Sequence, residues 1–261
     1  MIGCTLGRLI GVLLLLGCGA RSGFDEGFAP KASGGAAGNS GGAAGNSGGA
    51  GSSGGPTCIL GARASGASPI IDDMLDGDSN ILPSEARNGT WYTDNDNDGY
   101  QYPAAGILPM TPRARSQPYQ NDHDWVADTQ GSAFSHYADS DWGAAIGFYL
   151  NSGCPYDASA YQGLEFFGAA VNPLQITLSL ITTGTSSAAG TCPAGLQSCA
   201  AYQALVSMGS SETQYAVPFA RLTAQPGSQP SAFDPSKLIG VSFKVPPQTD
   251  FAFYVSLVGF E

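Results

Sequence analysis

From about residue 57 to the C-terminus, several stretches place apolar residues at every second position. In "LQITLSLIT" (174–182), Ile176, Leu178 and Leu180 share one face, while Thr177 and Ser179 share the other. "FAFYVSLVGF" (251–260) places Phe251, Phe253, Val255 and Leu257 at the same spacing, and "GVSFKVP", "TQYAVPF" and "GLEFFGAAV" are shorter runs of this kind. A period of two is the side-chain period of a half-buried strand. Gly, Pro, Asn and Asp punctuate the runs, and helical periodicity is weak throughout. Many short alternating strands joined by such turns predict an all-β sandwich or barrel; a parallel sheet would need crossover helices.

The first 56 residues break the pattern. Arg8 precedes an apolar run from Leu9 to Leu16, too short for a span of about 20 apolar residues. A basic start, a short apolar stretch and a small residue at the cut are the layout of a secretory signal. Leu15-Leu16-Gly17-Cys18 resembles the lipobox of bacterial lipoproteins. That resemblance implies cleavage before Cys18, lipidation of its sulfur, and anchoring to the outer membrane, facing the periplasm or the cell surface. Residues 33–55 repeat the unit GGAAGNS and contain no side chain larger than Asn. Such a tract buries too little area to offset chain entropy and is expected to act as a flexible tether, with an end-to-end distance of about 25–30 Å. "GNSGG" occurs twice within it and matches a nucleophile pattern. That pattern works only on a tight strand-to-helix turn beside a base, so it is set aside. The expected organisation is a signal peptide (1–17), a lipidated cysteine and tether (18–56), and one β domain (57–261), present as a monomer.

Charge narrows the partners. Lys and Arg number 10 against 21 Asp and Glu, a formal charge of −11. The basic residues are scattered, which argues against nucleic acid. The acids concentrate between Asp72 and Asp141, as solvated turns or as a surface for a polar ligand or cation. Six cysteines suit an exported chain. With Cys4 removed and Cys18 lipidated, Cys192 and Cys199 enclose the short loop "CPAGLQSC" and are expected to pair. Cys58 and Cys154 then pair by elimination. A zinc site is the alternative, but a close second Cys-x-x-Cys or His pair is missing.

Five segments carry a further resemblance. "IDDMLDGDSNI", "GTWYTDNDNDG", "WGAAIGFYLN", "PYDASAYQGLEFFGAA" and "YAVPFARLTAQPGSQPSAFDPSKLIGVSFKVP" are similar, in this order, to segments of galactose-binding-like jelly rolls. Family 11 carbohydrate-binding modules are the nearest named group. The resemblance implies a β-sandwich jelly roll that binds a glycan or polysaccharide. In that family, carboxylates of the first and last strands commonly hold a structural calcium. Here Leu75 and Ser256-Leu257 stand in their places, removing the hard oxygen ligands calcium needs. The terminal strands are therefore expected to be joined by packing, with no cofactor.

"WYTDNDNDGYQ" (91–101) concentrates the candidate chemistry. Asp94, Asp96, Asp98 and Gly99 match the first half of an EF-hand loop, but Ala105 stands at its twelfth position and the flanking helices are missing. Another type of calcium loop through Asp94, Asp96 and Asp98 is the less favoured reading, since calcium takes six or more oxygens. Sugar recognition needs an aromatic face for the C–H surface of a pyranose and planar polar groups for its hydroxyls. The candidates are Tyr92, Asp94, Asn95, His123, Trp125 and Trp142, with Trp91 and His136 behind them. Trp91 and Tyr92, adjacent on a strand, face opposite sides, one core and one presented. Trp125, in the polar setting "NDHDWVADT", reads as the best exposed stacking residue.

Three classes of function compete. A non-catalytic surface module binding glycan ranks first, a structural or adhesion protein on the same sandwich second, and a glycoside hydrolase with a carboxylate pair in the acidic loops third.

Overall fold

The computed structural model describes residues 58–107, 109–112, 125–132, 134, 142–185, 201–224 and 232–261. The strands are β1 (Ile70–Asp72), β2 (Trp91–Asn95), β3 (Tyr100–Tyr102), β4 (Met110–Pro112), β5 (Trp125–Ser132), β6 (Ala144–Tyr149) and β7 (Gly163–Ala170). After them come β8 (Leu174–Thr182), β9 (Tyr202–Met208), β10 (Thr213–Pro218), β11 (Thr223–Ala224), β12 (Leu238–Val245) and β13 (Phe251–Phe260). They form two antiparallel sheets. One runs β10-β7-β13-β5-β3, with β1 added to β13 and β4 to β5; the other runs β11-β9-β8-β12-β6-β2. The domain is an all-β sandwich.

Alternation explains the core. On β8, Ile176, Leu178 and Leu180 are buried, as the pattern predicts. They join Trp91, Ile146, Phe148, Val241 and Phe243 of the same sheet, and Leu164, Phe166, Phe253, Val255, Val258 and Phe260 of the facing sheet, in one apolar cluster. Phe166 meets Phe243 edge-on across the layers, ring centres 5.0 Å apart.

β13 departs from simple alternation. Its register against β7 shifts between Val255 and Leu257, so Ser256 is an extra residue in the ladder. A bulge of this kind inverts the parity of the strand. Val258 and Phe260 therefore enter the core while Leu257 does not, contrary to the strict period of two expected there. Ser256 is itself fully buried and donates its hydroxyl to Glu212 Oε1.

The start of the domain is tied to its end by strand pairing and to its middle by a disulfide. β1 pairs with β13, Ile70 opposite Gly259 and Asp72 opposite Val258. Cys58 and Cys154 form a disulfide, Cα atoms 5.8 Å apart across a sequence separation of 96. The Cys192–Cys199 pair and Cys18 lie outside the described residues.

Acidic residues near the start of the domain are largely turn formers. The side chains of Asp73, Asp76 and Asp78 each accept the backbone N–H two residues on, the usual role of Asp in turns. Asp72 differs. It is 2 % exposed, and its two oxygens accept the N–H of Met74 at 3.0 Å and Nε1 of Trp91 at 2.7 Å. Burial, only partly offset by these hydrogen bonds, pushes its carboxyl up to about 7.

Candidate functional site

The outer face of the six-stranded sheet carries the side chains that point away from the core. On β2, Trp91 and Thr93 face inward, so Tyr92 and Asp94 face outward. Pairing then builds rows across the sheet. Tyr92 lies opposite Gly147, Gly147 opposite Ser242, and Ser242 opposite Ser179. A second row runs Asp94, Ala145, Lys244, Thr177; a third runs Tyr149, Gly240, Ile181. The small residues of β6 and β12 leave room between the larger ones. A Cβ on Gly147 would meet the Tyr92 hydroxyl oxygen at 2.7 Å, so glycine is needed for that ring to lie over the sheet. The result is a groove of about 520 Å³ lined by Tyr92, Asp94, Trp142, Tyr149, Ser242 and Lys244, among others, within the range typical of small-ligand sites.

The rings in the groove are held by contact. Tyr92 and Tyr149 pair with centroids 5.0 Å apart, tilted by 31°. Lys244 Nζ sits 5.4 Å from the centre of the Trp142 ring, a cation–π distance. Burial raises the Tyr92 phenol above its usual range, with Tyr149 adding to the effect and a hydrogen bond to Ser242 opposing it. Burial also raises Asp94, against the pull of the Asn95 N–H and of Lys244. The Lys244 ammonium is lowered by burial and partly restored by Asp94. The groove therefore holds one acidic and one basic side chain, Asp94 and Lys244, each shifted by burial toward its neutral form. They stand on the same row with Ala145 between, roughly 10 Å apart at the backbone by the usual strand spacing.

The remaining sequence candidates divide. Trp91 is buried, its ring 4.9 Å from that of Phe148. Asn95 turns to the other side of β2 from Asp94: its Nδ2 donates to Gln101 Oε1 at 2.9 Å and its Oδ1 accepts from the N–H of Asn97. It does not join the groove, because strand parity places it with Trp91 and Thr93. Trp125 belongs to β5 of the other sheet. It is half-buried, packed against the core and lying over Gly77, where a Cβ would collide with the indole. A polar sequence neighbourhood suggested an open stacking ring; the fold instead uses it as cover. His123 and His136 lie outside the described residues.

The three aspartates of the 91–101 segment serve different ends. Asp94 faces the groove. Asp96 accepts the Asp98 N–H on Oδ1, and the N–H groups of Trp142 and Gly143 on Oδ2, at 2.8 and 2.6 Å. Asp98 lies exposed in the bend that follows β2. Among the described residues no group of three or more His, Cys, Asp or Glu side chains is arranged to hold a metal ion.

Sequence reasoning missed Tyr149, Ser242, Lys244 and Ile181. Alternation marks which side chains of each strand point outward, but only the pairing register brings these four to one groove.

No protein-family model matches the chain, and no curated protein matches it. Its structure is similar to that of the family 11 carbohydrate-binding module from Clostridium thermocellum solved with a β-1,3-1,4-mixed-linked tetrasaccharide. The identity is 12 %, the TM-score 0.46, and the match covers 74 % of this chain and 94 % of the other. It is also similar to a family 30 carbohydrate-binding module (12 % identity, TM-score 0.44, covering 65 % and 82 %). An exo-β-agarase matches over 25 % of its own length and 74 % of this chain (12 % identity, TM-score 0.41).

Proposed function

We propose that the β domain is a non-catalytic module that binds a neutral segment of a glycan chain in the groove on the six-stranded sheet. The observation that carries this reading is the convergence of three ring-bearing residues, Tyr92, Tyr149 and Trp142, with Asp94, Ser242 and Lys244 around one cleft. Rings supply the apolar surface that the C–H face of a sugar needs. A carboxylate, a hydroxyl and an ammonium supply acceptors and donors for its hydroxyls. One acidic and one basic side chain in the same row favour a ligand without net charge. Among the described residues lining the groove, Asp94 is the single carboxylate. Glycoside hydrolysis ordinarily works through two, which supports binding over turnover.

A glycan array probed with residues 57–261 tests the reading. Retention on neutral polysaccharides, lost on substitution of Tyr92, is expected. Release of reducing sugar from a bound glycan would overturn the non-catalytic assignment, and no retention on any glycan would favour the structural or adhesion alternative. Binding is expected to survive chelation with EDTA.

The anchoring of the module is part of the proposal. The lipobox-like segment supports lipidation at Cys18 and an outer-membrane location, with residues 18–56 as the tether. Cys18→Ser should move the protein from the membrane fraction to the soluble fraction and abolish incorporation of labelled palmitate.

A further inference from the structure

We infer that Asp96 is the positioning residue of the groove: it fixes Trp142 as a wall of the site without being one of its lining residues. The inference rests on the glycan-binding reading for its purpose, but its structural content stands separately. The ladder between β2 and β6 ends at the pair Asn95–Ala144. Trp142 and Gly143 lie beyond that end, and their N–H groups donate to Asp96 in place of a strand ladder. Asp96, the next residue after β2, closes the gap from three directions. Its N–H donates to Gly143 O at 3.1 Å. Its Oδ2 accepts the N–H of Trp142 at 2.8 Å and that of Gly143 at 2.6 Å. Its Oδ1 accepts the N–H of Asp98, which holds the carboxylate in a fixed orientation.

Hydrogen bonds to an ionised acceptor are about twice as strong as neutral ones, and this carboxylate uses both oxygens. The backbone of Trp142 is thereby locked to the end of β2, just past the groove-facing Asp94. The indole is left beside Lys244, 5.4 Å from Nζ. Asp96 is not among the groove-lining residues, so its effect on a ligand passes through the ring.

The test uses the full chain labelled with 5-fluorotryptophan, its Trp142 resonance assigned by Trp142→Phe. In Asp96→Ala the Trp142 resonance should shift and broaden while those of Trp91 and Trp125 hold. Asp96→Asn, which keeps one acceptor oxygen, should restore the signal in part and guards against loss of folding in the alanine variant. With a β-1,3-1,4-mixed-linked glucan tetrasaccharide as probe, Asp96→Ala should weaken binding about tenfold or more. The double variant with Trp142→Ala should bind no more weakly than Trp142→Ala alone. An unchanged Trp142 resonance in a folded Asp96→Ala chain, or losses that add in the double variant, would overturn the inference. A wild-type chain that ignores the saccharide but whose Trp142 resonance still responds to Asp96→Ala upholds the positioning role and counts against the glycan reading with this probe.

Discussion

Tyr92 and Trp125 show how far the environment of a single residue decides its use. Both are aromatic and both stand in polar sequence, yet one lies in the groove over Gly147 and the other, on the opposite sheet, covers Gly77 of the β1–β2 loop. Tyr92→Ala is expected to weaken glycan binding by about 1–3 kcal/mol. Trp125→Ala should leave affinity unchanged and lower the urea midpoint instead. Titration calorimetry beside denaturation curves separates the two effects. Asp94 adds a pH dependence. Burial raises its carboxyl, so the ionised form that accepts sugar hydroxyls is lost at a higher pH than for an ordinary carboxylate. Affinity should therefore decline as pH falls, beginning above the usual carboxylate range, and Asp94→Asn should flatten the profile.

At the scale of the element, β13 carries the sharpest contrast between pattern and structure. Strict alternation makes Leu257 a core residue and Val258 a surface one. The bulge at Ser256 reverses the assignment. Val258→Ala should then cost about 2 kcal/mol, from lost burial and the cavity left behind. Leu257→Ala should cost less than about 1 kcal/mol, as expected of a side chain outside the core. Equilibrium unfolding in urea checks the order, and the reverse order would mean the strand keeps a single parity. β2 has the complementary lesson. Its alternation holds, so Trp91, Thr93 and Asn95 fall on one side and Tyr92 and Asp94 on the other, and Trp91 and Asn95 are withdrawn from the groove by geometry alone.

For the whole molecule, two carboxyls shifted in opposite directions shape the stability profile. Asp72 rises from 3.8 to about 7 through burial. Between those values the folded state holds more protons than the unfolded state, so stability falls as pH rises across that window. Glu85 moves the other way. Burial opposes its ionisation, but hydrogen bonds from Ser65, Tyr161 and Ala67 outweigh it and bring the group from 4.5 to about 2. There the unfolded state holds more protons, and stability falls as pH drops. The joint contribution of these two groups is largest at about pH 4, between their opposed windows. Thermal melts across the acid and neutral range should show that dome, with Asp72→Asn flattening the neutral side and Glu85→Gln the acid side.

Fold class was legible in the sequence because a half-buried strand must alternate, and Leu174–Thr182 alternates as a sheet facing one core requires. The Cys58–Cys154 disulfide was reached by elimination among the cysteines, and the aromatic and acidic content of residues 91–98 marked one edge of the groove. What only the tertiary structure decided was which side chains share a face. Lys244, Tyr149 and Ser242 lie about 50 to 150 residues from Tyr92 in the chain and meet it through strand register, a long-range property that no local pattern encodes. The parity of the end of β13, the covering of Trp125 and the use of Asp96 as a clasp follow from the same cause: the neighbours of a segment, rather than its own residues, determine where its side chains end.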